Sequence, residues 1–299
     1  MHITVVPASP RTAQATIRFL LAHPSGPTVR GVYRDLARVP AEFAANPKFA
    51  AVTGDIIDAS SLDFAGSDAV LNVQPPIYAE IDTVKHALDV SNNIKAAVQR
   101  ATSVKRLVFV SSMGAQYDHG TGEILTSHAA ETVLADAAPE VVFVRCAYFM
   151  HNWEAALKTI SEAGFFFTTL TPLDNTLPQV AKDDIGETCA EELLATGNPL
   201  KSNPYIFDLV GPRPYTSLDV QRAWEEATGK TLEMRPVGKD GLAEFYGHVF
   251  PPVVAKRYTE MNLSFLPGGI IYEQSQPTGE VRKGRVELVD EFRKLLQGA

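Results

Sequence analysis

The chain has 299 residues, 45% of them hydrophobic, with 27 Lys and Arg against 35 Asp and Glu and a net charge of −8. That length and apolar content suit one large α/β domain or two closely joined ones and exclude a disordered chain. The acidic balance argues against nucleic acid as the main partner, because phosphate neutralisation needs clustered Lys and Arg; Arg282-Lys283-Arg285 is short, lies close to acids and reads as a solvated face.

In chain order, Ile3, Val5 and Val6 form a β-branched run suited to a buried parallel strand. Ser9 then offers an N-cap oxygen and Pro10 a first helical residue that needs no N–H, with Ala13, Ile17, Leu20 and Leu21 following at helical spacing. Strand, tight turn and helix together open a Rossmann unit, with the helix N-terminus aimed at a phosphate. No glycine precedes Gly26, so the glycine-rich fingerprint is absent. Ala13 is small enough to keep the helix close, while Pro7 and Pro10 each remove an N–H donor. The stretch equally suits a first βα unit without a ligand.

Further strands are expected at Thr28–Arg34, Phe49–Val52, Asp68–Val73, Arg106–Val110 and Val141–Arg145. A helix containing Val84, Leu88, Val90, Ile94, Ala97 and Val98 precedes the fifth strand, and His128 to Ala135 forms another. This alternation implies an α/β fold with a doubly wound parallel sheet, whose ligands lie beyond the carboxyl ends of the strands. The rule selects Ala8, Ser9, Pro10, Arg11 and Thr12; Arg34; Asp55 with Ile56; Gln74 with Pro75; Ser111 and Ser112; and Ala147, Tyr148 and Phe149.

After about Asn152 the alternation loosens. Residues 1–152 are expected to form the nucleotide-binding domain and 153–299 a smaller substrate-binding α/β portion whose chain can return to the first sheet. Phe165-Phe166-Phe167 and Pro172 suggest irregular chain, with a short strand near Gln179-Val180. A helix over Asp183–Ala195, a strand over Tyr205–Val210 and a helix over Ser217–Thr228 follow. Pro236 to Pro277 is rich in Pro, Gly and aromatics and resembles a pocket wall, and Val286 to Leu296 closes the chain as an amphipathic helix. Cys146 and Cys189 lie in apolar, regular segments, so a disulfide framework is not expected. No basic leader or apolar span appears, which points to a soluble, cytoplasmic protein without membrane association.

Val104-Lys105-Arg106-Leu107-Val108-Phe109-Val110-Ser111-Ser112, Glu131 with Val144-Arg145, Phe149-Met150-His151-Asn152, Asp184-Ile185-Gly186 and Leu209-Val210-Gly211-Pro212 run in one order from end to end. In that order and spacing the chain resembles the NmrA-like branch of the atypical short-chain dehydrogenase/reductases. The likeness is greatest to fungal NmrA-like oxidoreductases, some acting in secondary metabolism, and extends to bacterial quinone reductases. It implies an NADP(H)-binding Rossmann domain and a small C-terminal portion enclosing a pocket. Arg34, ending the second strand, suits a ribose 2′-phosphate, the alternative being a surface arginine paired with Asp35.

Reduction of a carbonyl or enone needs a proton donor at the developing oxyanion. The family's wider superfamily uses Tyr-x-x-x-Lys, yet none of the nine tyrosines has Lys four residues on. Ser127-His128 stands where the lysine is usual, so His128 is a candidate for binding the ribose or moving a proton, or else a helix-start histidine bonded to backbone. Tyr117 and His119, in a loop with Gly114, Gly120 and Gly122, are the expected acids, while Tyr148, Phe149 and Asn152 shape the nicotinamide pocket. His-Glu-x-x-His, Cys-x-x-Cys and a G-x-S-x-G elbow are all missing, and no metal is expected. These features imply an NADP(H)-dependent oxidoreductase for a small, largely apolar carbonyl, enone, imine or quinone-like substrate. A nucleotide-sensing regulator without turnover and a cofactor-assisted cyclase or isomerase are the alternatives.

Overall fold

The computed structural model describes residues 1–273 and 279–298. In chain order the elements are β1 (His2–Val6), α1 (Arg11–Ala22), β2 (Thr28–Tyr33), α2 (Ala41–Ala44), β3 (Phe49–Thr53), β4 (Ala69–Asn72), α3 (Thr83–Arg100), β5 (Arg106–Ser112), α4 (Leu125–Leu134), β6 (Glu140–Cys146) and β7 (Tyr148–Phe149). They continue with α5 (Leu157–Ala163), β8 (Phe165–Thr168), β9 (Leu177–Val180), α6 (Lys182–Leu194), β10 (Tyr205–Val210), β11 (Pro214–Tyr215), α7 (Ser217–Thr228), β12 (Glu233–Pro236), α8 (Leu242–Val249), α9 (Pro252–Phe265), α10 (Ile270–Glu273), β13 (Glu280–Lys283) and α11 (Leu288–Gln297).

The main sheet is parallel, with strand order β13-β10-β6-β5-β4-β1-β2-β3. The order reverses between β1 and β4, the place where folds of this kind open a crevice at the carboxyl ends of the strands. Unbroken apolar runs such as Leu107–Phe109 and Val141–Val144 are buried on both faces of this sheet, as central parallel strands require. Leu288, Phe292 and Leu295 of α11 are buried too, and Phe292 stacks on Trp224 at 3.9 Å. Cys146 and Cys189 are buried free thiols. Among the described residues no helix is long and apolar enough to cross a membrane.

The expected strands differ from the observed ones only at their edges, but other details change. Phe165–Phe167 is not irregular: β8 pairs in parallel with β12, Phe166 against Met234. Two strands from beyond residue 152, β10 and β13, extend the main sheet. Arg282 of β13 is not a solvated charge, because its guanidinium sits 4.0 Å from the Phe207 ring centroid and 2.7 Å from Glu192 Oε1. Pro236–Pro277 contains α8, α9 and α10; its last four residues, 274–277, lie outside the described residues. Helix α4 begins at Leu125, so His128 lies within its first turn and a half rather than at its start.

Candidate functional site

The turn from β1 to α1 is fastened to β2 by the Ala8 N–H, which donates to the Val32 carbonyl at 2.8 Å. Ala8 is therefore buried, and its N–H is not available to a ligand. Ser9 is not the N-cap. Pro10 takes that position with φ −59° and ψ 148°, no side chain caps the helix, and the first helical bond runs from Gln14 N–H to the Pro10 carbonyl. The N–H groups of Arg11, Thr12 and Ala13 thus belong to an uncapped helix end, which carries partial positive charge. Despite two prolines, the turn leaves this helix end without a side-chain cap.

Helix α1 is held close to its neighbour by a glycine, although not one in the turn. A Cβ placed on Gly186 of α6 would lie 2.6 Å from Ala15 Cβ, 2.7 Å from the Ala15 carbonyl carbon and 2.9 Å from Thr16 N. Ala13, wholly buried against the sheet, does fill the small-residue role on the other side of the helix.

Arg34 follows β2, is exposed, and forms no hydrogen bond or ion pair among the described residues. Asp35 does not pair with it, because the Asp35 carboxylate caps the next turn by accepting the Ala37 N–H at 2.9 Å. At the end of β3, the Asp55 carboxylate accepts the Ile57 N–H, and the Ile56 carbonyl accepts from Asn93 of α3, so both are tied into the turn. Gln74 is held by α3, its amide donating to Ser91 Oγ at 2.8 Å, while Pro75 is exposed.

Ser111 turns away from the crevice. It donates to Glu131 Oε1 at 2.6 Å, and Glu131 in turn receives two hydrogen bonds from Arg145, at 2.9 and 2.6 Å, in a buried pair. Alternation along β5 puts Ser112 on the opposite face, where its hydroxyl bonds the Met113 carbonyl. His128 Nδ1 lies 2.9 Å from the Ala115 carbonyl, an acceptor only, so Nδ1 carries a hydrogen and donates it there. His119 is 77% exposed and bonded at 2.5 Å to its neighbour Asp118, a surface pair rather than a pocket acid. Tyr117, in the same loop, is half-buried.

Residues unremarked as site candidates complete the rim. Glu154, in the 3₁₀ segment Met150–Ala156, grips Arg11 through two contacts of 2.7 and 2.6 Å across the mouth of the crevice. His151 stacks on Phe149 at 5.1 Å, and its Nδ1 is buried without a partner. Burial, then the nearby Arg11 and Lys182 charges, lowers its pKa to about 4. The only sequence signal for this corner was the Phe149–Asn152 stretch.

Ala147 is buried, its N–H on the Leu209 carbonyl, while Tyr148 beside it lies 6.1 Å from Trp153. Burial, and next the proximity of Tyr246, push the Tyr148 phenol well above its ordinary value. Above these residues stands an aromatic roof. Tyr78 stacks on Phe250 at 5.3 Å and 5°, Phe250 meets Tyr258 at 4.6 Å, and Tyr246 lies 6.0 Å from Tyr258. Glu80 accepts the Val253 N–H at the start of α9, which joins the loop after β4 to the roof. Gly122 admits α9 against the loop after β5: its φ is +57°, and any Cβ there would strike the Arg257 carbonyl and Met261 N. The roof therefore covers the carboxyl ends of β4 and β5.

An open parallel sheet with an aromatic layer from α8 and α9 packed on the loops after β4 and β5 invites comparison with known proteins. The NmrA-like family profile matches residues 1–269. The chain belongs to the NmrA-like family. Among solved structures it is similar to the triphenylmethane reductase of Citrobacter sp., with TM-score 0.73 and 17% identity over 99% of this chain and 100% of that one. It is also similar to an NADPH-dependent quinone oxidoreductase of Escherichia coli solved with NADPH, with TM-score 0.68 and 17% identity over 99% and 100%. NmrA, a negative transcriptional regulator, aligns with TM-score 0.64 and 16% identity over 100% and 92%. Such identities establish a shared fold. A search of curated proteins finds no match.

Two of the stretches that carry the NmrA-like resemblance act structurally here. Asp184 accepts the N–H groups of Arg285 and Val286, fixing the segment after β13, while Gly186 two residues on admits α1. Gly211 donates its N–H to the Gln179 carbonyl at a contact too close for any side chain.

Proposed function

We propose that this NmrA-like protein is an NADP(H)-dependent oxidoreductase acting on a small, largely apolar carbonyl, enone, imine or quinone-like substrate. The observation that carries the reading is Arg34, exposed and without an ion pair among the described residues, one residue beyond β2, the strand paired with the β1 that leads into the uncapped N-terminus of α1. A guanidinium suits a 2′-phosphate bidentately, and an uncapped helix end suits a pyrophosphate. The residues present fit the nucleotide: Ser9, Arg11, Thr12 and Ala13 would face its phosphates, Arg34 its extra phosphate, and Asp55, Ile56, Gln74 and Pro75 the adenosine half. When bound, the nicotinamide supplies a hydride.

The protein's own groups supply position and exclusion. His128, its Nδ1 held by the Ala115 carbonyl, would turn Nε2 toward a ribose hydroxyl. Tyr148 and Phe149 wall the nicotinamide end, Tyr117 lines the β5 side, and the roof of Tyr78, Tyr246, Phe250 and Tyr258 keeps water from a flat apolar substrate. Structural neighbours described as reductases, two of them named for triphenylmethane dyes and quinones, support the reading without fixing the substrate. A place in fungal secondary metabolism belongs to the same proposal and rests on the sequence resemblance alone.

The test is a titration of NADPH fluorescence followed by its absorbance in the presence of quinones, enones and cyclic imines. Saturable binding and substrate-dependent loss of the nicotinamide band are expected. The missing Tyr-x-x-x-Lys pair favours a second reading, a nucleotide sensor without turnover; saturable binding with no consumption across the panel would select it. Absence of any saturable binding contradicts both.

A further inference from the structure

Beyond β4 the chain enters an exposed run that begins at the switch point itself. The Val73 N–H donates at 3.1 Å to the carbonyl of Val6, the last residue of β1, and the Asn72 amide donates to the same carbonyl at 3.0 Å. The far end is fixed by buried Thr83, whose hydroxyl donates to Glu123 Oε2 at 3.0 Å. Between these anchors residues 75–82 form neither helix nor strand, and all but Ile77 are exposed. Among the described residues their backbone N–H groups make a single hydrogen bond, from Ile81 to the Ala79 carbonyl at 2.8 Å. Two side chains hold the middle of the run to the roof. Tyr78, 52% exposed, lies parallel to Phe250 at 5.3 Å and 6.2 Å from Tyr258, and Glu80 Oε1 accepts the Val253 N–H at 3.3 Å. Helix α9 has no capping side chain of its own: Pro251 is the N-cap and Pro252 brings no N–H, so Glu80 caps Val253 from 173 residues away. The landing side is the firmer one. Asn262 Nδ2 of α9 donates to the Tyr246 hydroxyl of α8 at 3.1 Å, and Gly122 admits α9 against the loop after β5.

We propose that residues 75–81 are a strap that lifts off the roof to let the nucleotide enter and leave the crevice, with Tyr78 and Glu80 as its latch. The proposal rests on the NADP(H) reading of the crevice and adds the step that sets how fast the site exchanges its cofactor. The strap joins the switch point at one end to the start of α9 at the other, so a ligand reaching the carboxyl ends of β1 and β4 passes it. Its latch is of the right strength to open. A carboxylate at an exposed helix N-terminus and an aromatic pair each shift an equilibrium by about two- to tenfold. The strap therefore stays down most of the time yet comes free without disturbing the sheet, as segments with few backbone hydrogen bonds do. The anchors at Val73 and Thr83 keep it attached while it is open.

The experiment compares the wild type with Tyr78→Ala, Glu80→Ala and a control, Glu244→Ala, which removes an exposed acid of α8 outside the latch. Each is checked for folding by circular dichroism. In the nucleotide-free protein, chymotrypsin cleavage after Tyr78, followed by mass spectrometry, reads the open fraction. Hydrogen exchange at Val253 reads it in Tyr78→Ala, where Glu80 still protects that amide. Stopped-flow nicotinamide fluorescence gives the NADPH association and dissociation rates. Glu80→Ala is expected to be cleaved about two- to fivefold faster than the wild type, and Tyr78→Ala to exchange Val253 about two- to tenfold faster. In both, the two NADPH rates rise by a similar factor and Kd stays within about twofold, while Glu244→Ala matches the wild type throughout. Saturable binding with unmoved rates in both latch variants overturns the strap and leaves the reductase reading intact. So does cleavage no faster in Glu80→Ala, or a weaker affinity with unmoved association, which would make these side chains ligand contacts rather than a latch. A wild type that binds no NADPH overturns both.

Discussion

Gly186→Ala puts the packing of α1 to a direct test. The new methyl would sit 2.6 Å from Ala15 Cβ, 2.7 Å from the Ala15 carbonyl carbon and 2.9 Å from Thr16 N, where about 3.5–4.0 Å is comfortable between carbon atoms. Two of the three obstacles are backbone, so no rotamer change relieves them, and α1 must move by roughly 1 Å. Overpacking of this kind costs about 1–3 kcal/mol. Replacing glycine inside a helix returns about 1 kcal/mol, so the net loss is on the order of 0–2 kcal/mol, and the two backbone obstacles place it in the upper half of that range, about 2–8 °C in Tm for a protein of this size. Because α1 carries the proposed phosphate site, NADPH affinity should fall several-fold in step. Ala15→Gly added to Gly186→Ala should give only partial rescue, since the backbone atoms remain. Denaturant unfolding and fluorescence titration of the three variants check this. A Gly186→Ala protein as stable as the wild type, with unchanged NADPH affinity, refutes the reasoning.

Three further outcomes follow from the site. Glu131→Gln leaves the buried Arg145 charge unpaired and Ser111 without its carboxylate, and should cost about 3–5 kcal/mol in denaturant unfolding; a loss below about 1 kcal/mol would contradict that pairing. His151 has a folded pKa of about 4 against 6.5 unfolded, so its share of stability is present above pH 6.5 and drains away as pH falls toward 4. His151→Phe should flatten that part of the stability–pH curve by up to one proton, and an unchanged slope would contradict the assignment. Glu154→Gln releases Arg11 for the nucleotide phosphates. Exposed pairs are worth about 0–1 kcal/mol, so NADPH should bind up to about fivefold more tightly at low salt, with the gain shrinking at high salt; weaker binding would contradict the competition.

Much of the sheet was legible in the sequence because its strands are buried on both faces and so write themselves as apolar runs, as in Val141–Val144. Phe165–Phe167 escaped because β8 pairs with a single distant strand, 68 residues away at the Phe165–Glu233 position, and no local period announces that. The candidate crevice residues could be picked out for the same positional reason: strand ends can be counted once strands are known. What could not be counted was orientation. Ser111 and Ser112 are neighbours, yet one joins a buried ion pair and the other bonds the Met113 carbonyl. Ser9 looked like a cap because serine usually is one, but the extended backbone of Pro10 fixes the helix start one residue later. His119 looked like an acid until its bond to Asp118 placed it on the surface. The Tyr246–Asn262 contact is invisible in sequence, since it depends on how α8 and α9 fold back on each other.

For the proposed function to hold, a turn with no glycine must seat a dinucleotide. A crystal soaked in NADPH measures this directly. The prediction is pyrophosphate density within hydrogen-bond distance of the N–H groups of Arg11 and Thr12, the Arg34 guanidinium on the 2′-phosphate, and the Arg11–Glu154 pair opened. Density absent from the crevice, or a 2′-phosphate out of reach of Arg34, would contradict it.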